Sequence, residues 1–130
     1  MTGSGFAFSL SGGAEAGSAA RQAVLAANGA VPHSVRDDVL LLVTELVTNA
    51  VRHAGVGKDR SLHVKVRRHE RRLRVDVVDP GDGFDLAPHG PVPRGTGGFG
   101  LLLVERIAES WGVARGEGGT CVWFELLTEA

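Results

Sequence analysis

Hydrophobic and polar positions follow two different periods along this chain, and the shorter period predicts strands. Apolar and polar residues alternate at 6–10, which predicts a first strand at the edge of a sheet. The same alternation at 62–66 and 73–77 predicts an antiparallel hairpin with one buried face. Segments 111–114 and 121–126 flank a glycine-rich turn, so they predict a closing hairpin.

The longer period predicts three helices. The first covers about 14–27, and the second runs from an N-cap at Ser34 to about Ala54. The third covers about 98–110 and buries several apolar residues, among them Leu102 and Val104. The element order is therefore β-α-α-β-β-loop-α-β-β. It predicts an α+β protein, a two-layer sandwich with helices on one face of a mostly antiparallel sheet.

Polar side chains border the apolar face of the second predicted helix. At about 100° per residue, Glu45, Asn49 and Arg52 fall within one narrow arc, with His53 at its edge. The neighbouring stripe, predicted to face the core, consists of Val39, Leu42, Val43, Leu46, Val47 and Ala50. Such an arrangement is typical of a helix that lines a cleft. The alternative is a surface helix with an i,i+4 Glu–Asn pair, and the helix alone does not decide between them.

An aspartate and two glycines follow the strand predicted at 73–77. In Asp79-Pro80-Gly81-Asp82-Gly83, the first carboxylate can accept a hydrogen bond from an exocyclic amine. The glycines allow the backbone to approach a planar ring closely. These residues are suited to hold a heterocycle, although a plain turn would use the same residue types.

A second glycine-rich segment runs into the third predicted helix. Backbone N–H groups at a helix N-terminus bind anions, so the stretch 95–101 could hold phosphates. It matches G-x-G-x-x-G by letter, but a proline-rich loop precedes it where a dinucleotide fold requires a strand. The chain also lacks a P-loop motif. The alternative is a mobile glycine-rich lid without a ligand.

Length and composition predict one domain over residues 1–130. A net charge of −1 and a pI of about 6.5 give no electrostatic signature of nucleic acid or membrane binding. We interpret the basic cluster at 67–72 as a solvated turn between strands. Cys121 is the only cysteine, and its strand context favours a small buried thiol over a nucleophile. With no apolar span or signal sequence, we expect a soluble cytoplasmic protein.

The three motifs, in this order and at these distances, resemble those of the Bergerat-fold (GHKL) ATPases, the superfamily of gyrase, Hsp90, histidine kinases and MutL. Glu45-x-x-x-Asn49 resembles the N box, and Asp79-x-Gly81-x-Gly83 resembles the first glycine box. Gly98-x-Gly100-Leu101 is similar to the second glycine box, and Thr120 to a threonine directed at phosphate. The chain is most similar to the stand-alone anti-sigma-factor serine/threonine kinases that are common in actinobacteria.

This resemblance implies an ATP site with Mg²⁺. Asn49 would be the metal ligand, and Glu45 would be the catalytic residue that orients or deprotonates the attacking hydroxyl. Arg52 would offset phosphate charge, although a surface salt bridge is an equal alternative. The residues that the resemblance assigns to nucleotide binding are Asn49, Arg52, Asp79, Gly81, Gly83, Gly97, Gly98, Phe99, Gly100, Leu101 and Thr120. Phe99 departs from the basic residue of many relatives, which leaves phosphate binding to backbone amides.

The same resemblance implies two protein partners. The hydroxyl would belong to an anti-anti-sigma protein of the STAS type, and a sigma factor would be bound in another state, which would regulate transcription. A homodimer is expected through the strand at 6–10 or the first helix. Two alternatives stay open: an ATP-binding interaction module without catalysis, and a detached ATPase domain of a histidine kinase. The second is disfavoured because no histidine lies in a suitable helical hairpin.

Overall fold

The computed structural model describes residues 4–27, 29–54, 59–79, 102–116 and 119–128. Its elements follow the predicted order, with one additional 3-10 turn at His33–Val35. They are β1 (Ser4–Ser11), α1 (Ala16–Ala26), α2 (Arg36–Ala54), β2 (Ser61–His69), β3 (Arg72–Asp79), α3 (Leu102–Ile107), β4 (Ser110–Gly116) and β5 (Gly119–Leu127). Within these ranges, no helix combines the length and the apolarity that crossing a bilayer requires.

The strands of the described residues form one antiparallel sheet in the order β1-β2-β3-β5-β4. Both predicted hairpins are confirmed, and β1 lies at the sheet edge as expected. In the first hairpin only Glu70 and Arg71 form the turn, because His69 and Arg72 already pair with each other. The interpretation of 67–72 as a solvated turn is therefore wrong for most of the cluster.

One face of the sheet packs against the helices. The alternating residues of β2 and β3 and the inward residues of β5 meet the apolar stripe of α2 in one hydrophobic core. Its largest fully buried side chains include Phe124, Leu42, Leu62 and Leu73. The predicted α+β class, with helices on one face, is confirmed. Period-two alternation produces this arrangement because every second strand residue points to the same side.

Two helix boundaries differ from the prediction. Ser34 is not the N-cap of α2, because it lies inside the 3-10 turn that precedes that helix. The third helix ends at Ile107 rather than near Ser110, since the Glu109 amide donates to the Glu125 carbonyl and begins the β4–β5 pairing. Leu102 is 54% exposed, contrary to expectation, whereas Val104 is fully buried as predicted.

A glycine allows α1 and α2 to approach closely. A Cβ atom added to Gly17 would lie 2.8 Å from Thr48 Oγ1 and 3.4 Å from Thr44 Cγ2. The Thr44 hydroxyl in turn donates a hydrogen bond to the Leu40 carbonyl at 2.7 Å. Gly17 weakens α1 as an isolated helix, but it permits the contact that holds α1 on α2.

Candidate functional site

The polar arc of α2 runs from the core border out to solvent. Asn49 is buried with 8% of its surface exposed, Glu45 is partly exposed, and Arg52 is exposed. Their burial follows from the helix geometry, since Leu42 and Leu46 occupy the adjacent buried positions. The arrangement agrees with a helix that presents polar groups to a cleft beside the core.

The buried amide of Asn49 is incompletely satisfied. Its Nδ2 atom is fully shielded from solvent and finds no hydrogen-bond partner in the described structure. Most buried polar atoms in proteins are hydrogen-bonded, and an unpaired one costs about 1–3 kcal/mol. The i,i+4 pair with Glu45, which the sequence left open, would have satisfied this donor and is not formed. An unpaired amide at the edge of the core is consistent with a site that a ligand completes.

Asp79 ends β3 on the side of the sheet that faces the helices. It shares that face with Val75 and Val77, because the three are two residues apart along the strand. The register of the sheet places Thr120, the second residue of β5, directly opposite Asp79. The carboxylate is 5% exposed. The fold thus brings together two predicted site residues that are 41 positions apart in the sequence.

Arg60 is a neighbour of Asp79 that the sequence interpretation missed. Its Nη2 atom lies 3.4 Å from Asp79 Oδ1, and the Arg60 side chain is 25% exposed. The residue immediately precedes β2, where the antiparallel pairing with β3 places it near the end of that strand. The predicted hairpin could have indicated that Arg60 lies near Asp79, because its register places residues 60–62 opposite the end of the second strand of the hairpin. The positive charge compensates a carboxylate that is largely removed from water.

Cys121 lies next to Thr120 but points to the opposite face of the sheet. Burial raises the pKa of its thiol to about 11, and the nearby Asp76 carboxylate contributes to the same shift. Only a small fraction is thiolate at neutral pH, and the thiolate is the nucleophilic form. Cys121 is half-buried rather than fully buried as expected, but its raised pKa agrees with the expectation that it is not a nucleophile.

Several predicted site residues lie outside the described residues: Gly81, Gly83, Gly97, Gly98, Phe99, Gly100 and Leu101. The side chain of His53 also lies outside them. Arg52 forms no ion pair within the part of the chain that the structure describes, so the alternative of a surface salt bridge is not realised there. The described part of the site consists of the α2 arc and the Asp79–Thr120 pair, carried by elements that pack against one another.

These groups fit a nucleotide with a metal ion. A buried carboxylate can accept from a heterocyclic amine, and an amide oxygen is a hard ligand of the kind that Mg²⁺ prefers. The unpaired Asn49 Nδ2 offers a donor that phosphate oxygens could satisfy. A carboxylate one helical turn away, at Glu45, can serve as a general base.

Comparison with known proteins agrees with the family resemblance of the sequence motifs. The model of the histidine kinase-like ATPase domain family matches residues 13–126. Serine-protein kinase RsbW of Listeria innocua is 29% identical over an alignment of 117 positions, and the match covers 81% of this chain and 74% of that protein. The protein of the same name from Bacillus subtilis is 35% identical over an alignment of 104 positions, and the match covers 70% of this chain and 64% of that protein.

A solved structure supports the fold independently. The crystal structure of the RsbU and RsbW domains of Rv1364c from Mycobacterium tuberculosis matches with a TM-score of 0.67 and 21% identity. The match covers 95% of this chain and 32% of that longer chain. At this identity the likeness concerns the fold.

Proposed function

Because this chain belongs to the histidine kinase-like ATPase domain family, we propose that it is an ATP-dependent serine/threonine kinase of the anti-sigma-factor type. In this proposal it phosphorylates an anti-anti-sigma protein of the STAS type and sequesters a sigma factor in another state. The observation that carries the proposal is the Nδ2 atom of the buried Asn49 amide, a donor without a partner in the described residues that a phosphate oxygen of ATP would satisfy. It lies one helical turn after Glu45, on the polar border of a helix whose apolar stripe forms the core.

Each residue has a role that its chemistry supports. Bound ATP supplies the phosphoryl group, and Mg²⁺ offsets the charge of its phosphates. Asn49 would hold the metal through its side-chain oxygen, and Glu45 would accept the proton of the partner hydroxyl. Asp79 accepts a hydrogen bond from the adenine amine, while the Thr120 hydroxyl donates to a phosphate oxygen.

Further groups complete the proposed nucleotide site. Arg52 offsets phosphate charge from the exposed end of the α2 arc. The glycine boxes supply backbone N–H groups, which bind phosphate without a side chain. The remaining assigned residues are Gly81, Gly83, Gly97, Gly98, Phe99, Gly100 and Leu101.

The partners and the assembly are part of the same proposal. A sigma factor as partner would place the protein in the cytoplasm, where transcription occurs. We also propose a homodimer through β1 or α1. Within the described residues β1 pairs only with β2, and it carries no lysine or proline that would disfavour pairing of its outer edge.

The experiment that tests the kinase is transfer of labelled phosphate from ATP to a candidate anti-anti-sigma protein, beside nucleotide titrations. Glu45→Ala should retain Mg·ATP binding and lose transfer by roughly 10²–10⁴-fold, the usual effect of removing a general base. Asn49→Ala should weaken binding and transfer together, because it removes the metal ligand. Asp37→Asn is the matched control, since it removes an exposed carboxylate from the first turn of the same helix.

The outcomes separate the kinase from a nucleotide-sensing module. If the unmodified protein binds ATP but labels no partner, and Glu45→Ala leaves partner binding unchanged, the kinase proposal fails. If Glu45→Ala and Asp37→Asn reduced phosphoryl transfer equally, the kinase proposal would also be contradicted. The loss would then come from removing any negative charge from the helix rather than from removing the general base.

A further inference from the structure

The basic cluster at the β2–β3 turn forms a pocket at the end of the sheet opposite Asp79. The pocket has a volume of about 530 Å³, within the range of small-molecule sites. The pocket is lined mainly by four arginines, Arg67, Arg68, Arg72 and Arg74. Gly5, His69 and Glu125 complete the lining. We call it the arginine pocket. Arg72 and Asp79 begin and end β3, so the pocket lies roughly 23 Å from the proposed nucleotide site.

A buried carboxylate holds two of the arginines in place. Asp76 is 4% exposed, and its oxygens accept hydrogen bonds from Arg67 Nη2 and from Arg74 Nε, each at 3.0 Å. Burial alone would raise the pKa of Asp76, but the bonds from Arg74 and Arg67 outweigh it and hold the pKa below its ordinary range. Asp76 therefore stays charged at neutral pH and fixes both guanidinium groups before any ligand arrives.

An aromatic ring restrains Arg74 further. The guanidinium carbon of Arg74 lies 4.2 Å from the centroid of the Trp123 ring, which is a cation–π contact. The ring lies against Gly112, where a Cβ atom would come within 2.8 Å of it. The absence of a side chain at Gly112 lets Trp123 lie across β4. Arg74 is thus held by a carboxylate and by a ring.

A glycine on the edge strand leaves space on the other side of the pocket. Gly5 of β1 pairs with Arg67 of β2, and a Cβ atom at this position would press on the Val66 carbonyl oxygen. Any other residue would require the strands to shift. The Gly5 position keeps the floor of the pocket free of a side chain beside the arginines.

The pocket carries more positive charge than its own carboxylates neutralise. Arg67, Arg72 and Arg74 share the face opposite the core with two carboxylates, Asp76 and Glu125, which leaves a surplus of one positive charge. Glu125 is a weak partner, because its oxygens are 3.8 Å from Arg72 and 4.0 Å from Arg74, beyond hydrogen-bond distance. Arg68 pairs with the buried Leu73, so its side chain points to the helix-facing side of the sheet and does not add to this charge.

We propose that the arginine pocket binds a phosphate group. Guanidinium groups bind phosphate through paired N–H donors, and clusters of arginines recognise phosphorylated and acidic segments. The group could belong to a free phosphate compound or to a phosphorylated side chain of a partner protein. The proposal does not depend on the kinase activity.

The test is a titration followed through backbone amide NMR signals of residues 67–74, at constant ionic strength. The probes are inorganic phosphate, a phosphoserine peptide with neutral flanks, and the same peptide with serine. Phosphate should shift these signals saturably. Arg72→Gln should weaken its binding about tenfold, as expected for loss of a charge-assisted hydrogen bond.

The matched control is Arg71→Gln, which removes the same charge from the adjacent turn without touching the pocket lining. It should leave phosphate affinity unchanged. Tighter binding of the phosphopeptide than of inorganic phosphate identifies a phosphorylated partner as the source, and equal binding identifies a free compound. Shifts that do not saturate, equal binding of the serine peptide, or equal weakening by Arg71→Gln would overturn the proposal. Melting curves of each variant confirm that it folds.

Discussion

Substitution of Asp79 by asparagine should reduce ATP affinity and leave the fold intact. Asparagine has nearly the same size, so the 5% exposed site should accept it without repacking. The adenine amine would then lose a charged acceptor and could meet the amide N–H donor instead. A hydrogen bond to a charged group contributes about 1.5–3 kcal/mol, so ATP affinity should fall roughly 10- to 150-fold.

The cost in stability should be small. The ion pair from Arg60 to Asp79 is long, at 3.4 Å, and the arginine is 25% exposed. When the carboxylate becomes an amide, the Arg60 side chain can turn toward water rather than remain buried and unpaired. We expect the free energy of unfolding to fall by no more than about 1 kcal/mol, the upper range for partly solvated pairs.

Asp76→Asn is the matched control for this experiment. It makes the same chemical change on the same strand, three residues earlier and on the opposite face of the sheet. Here two arginines lose a charged acceptor, although Arg67 is 61% exposed and can be hydrated. We expect the free energy of unfolding to fall by about 2 kcal/mol and ATP affinity to remain unchanged.

Calorimetric titration with ATP and GTP, beside urea unfolding of both variants, decides between these effects. The unmodified protein should prefer ATP, and Asp79→Asn should lose most of that preference. Equal affinity of the unmodified protein for ATP and GTP would refute the assignment of Asp79 to adenine. If Asp76→Asn weakened ATP binding as much as Asp79→Asn did, the loss would reflect general disturbance of β3 rather than a missing acceptor.

Three further predictions concern the helix pair, the thiol and the assembly. Gly17→Ala should destabilise the protein by about 1–2 kcal/mol in urea unfolding, because the new Cβ would press on Thr48. Adding Thr48→Ala should recover part of this loss of stability. Cys121, with a pKa raised from 9.0 to about 11, should react about tenfold more slowly at pH 8 with a thiol reagent than an unshifted thiol, because its thiolate fraction is about a hundredfold smaller and its thiolate roughly tenfold more nucleophilic. Asp76→Asn should accelerate the reaction. Light scattering should show a dimer at micromolar concentration, and a monomer across that range would contradict the proposed pairing of β1.

Periodicity predicted the fold well because it reports burial directly. The α2 stripe and the two hairpins each have one side in the core, so their apolar positions repeat with the period of the element. Element ends were less predictable. Ser34 has the chemistry of an N-cap, yet the chain forms a 3-10 turn there, and α3 ends early because Glu109 begins a backbone ladder with Glu125. The end of α3 depends on a tertiary contact that local patterns do not contain, whereas the 3-10 turn at Ser34 is closed by local backbone hydrogen bonds.

The candidate site was predictable where it depends on helix geometry and less so where it depends on strand register. The Glu45–Asn49 spacing determines a common helix face in any helical context. The pairing of Asp79 with Thr120 and the approach of Arg60 depend on the register of three strands. Register is a long-range property, set by core packing and turn geometry together. The arrangement of the glycine boxes and the single domain over 1–130 stay predictions.

Strand alternation also identifies a face without determining whether that face is solvated. Asp76 and Asp79 are three residues apart, so they lie on opposite sides of β3, yet both are almost fully buried. On the helix side, the packed core accounts for the burial. On the other side, long arginine side chains and Trp123 cover the carboxylate, as extended side chains commonly cover a sheet. The face opposite the core is therefore an organised layer of charges, and its arginines are a reason to test it for a ligand of its own.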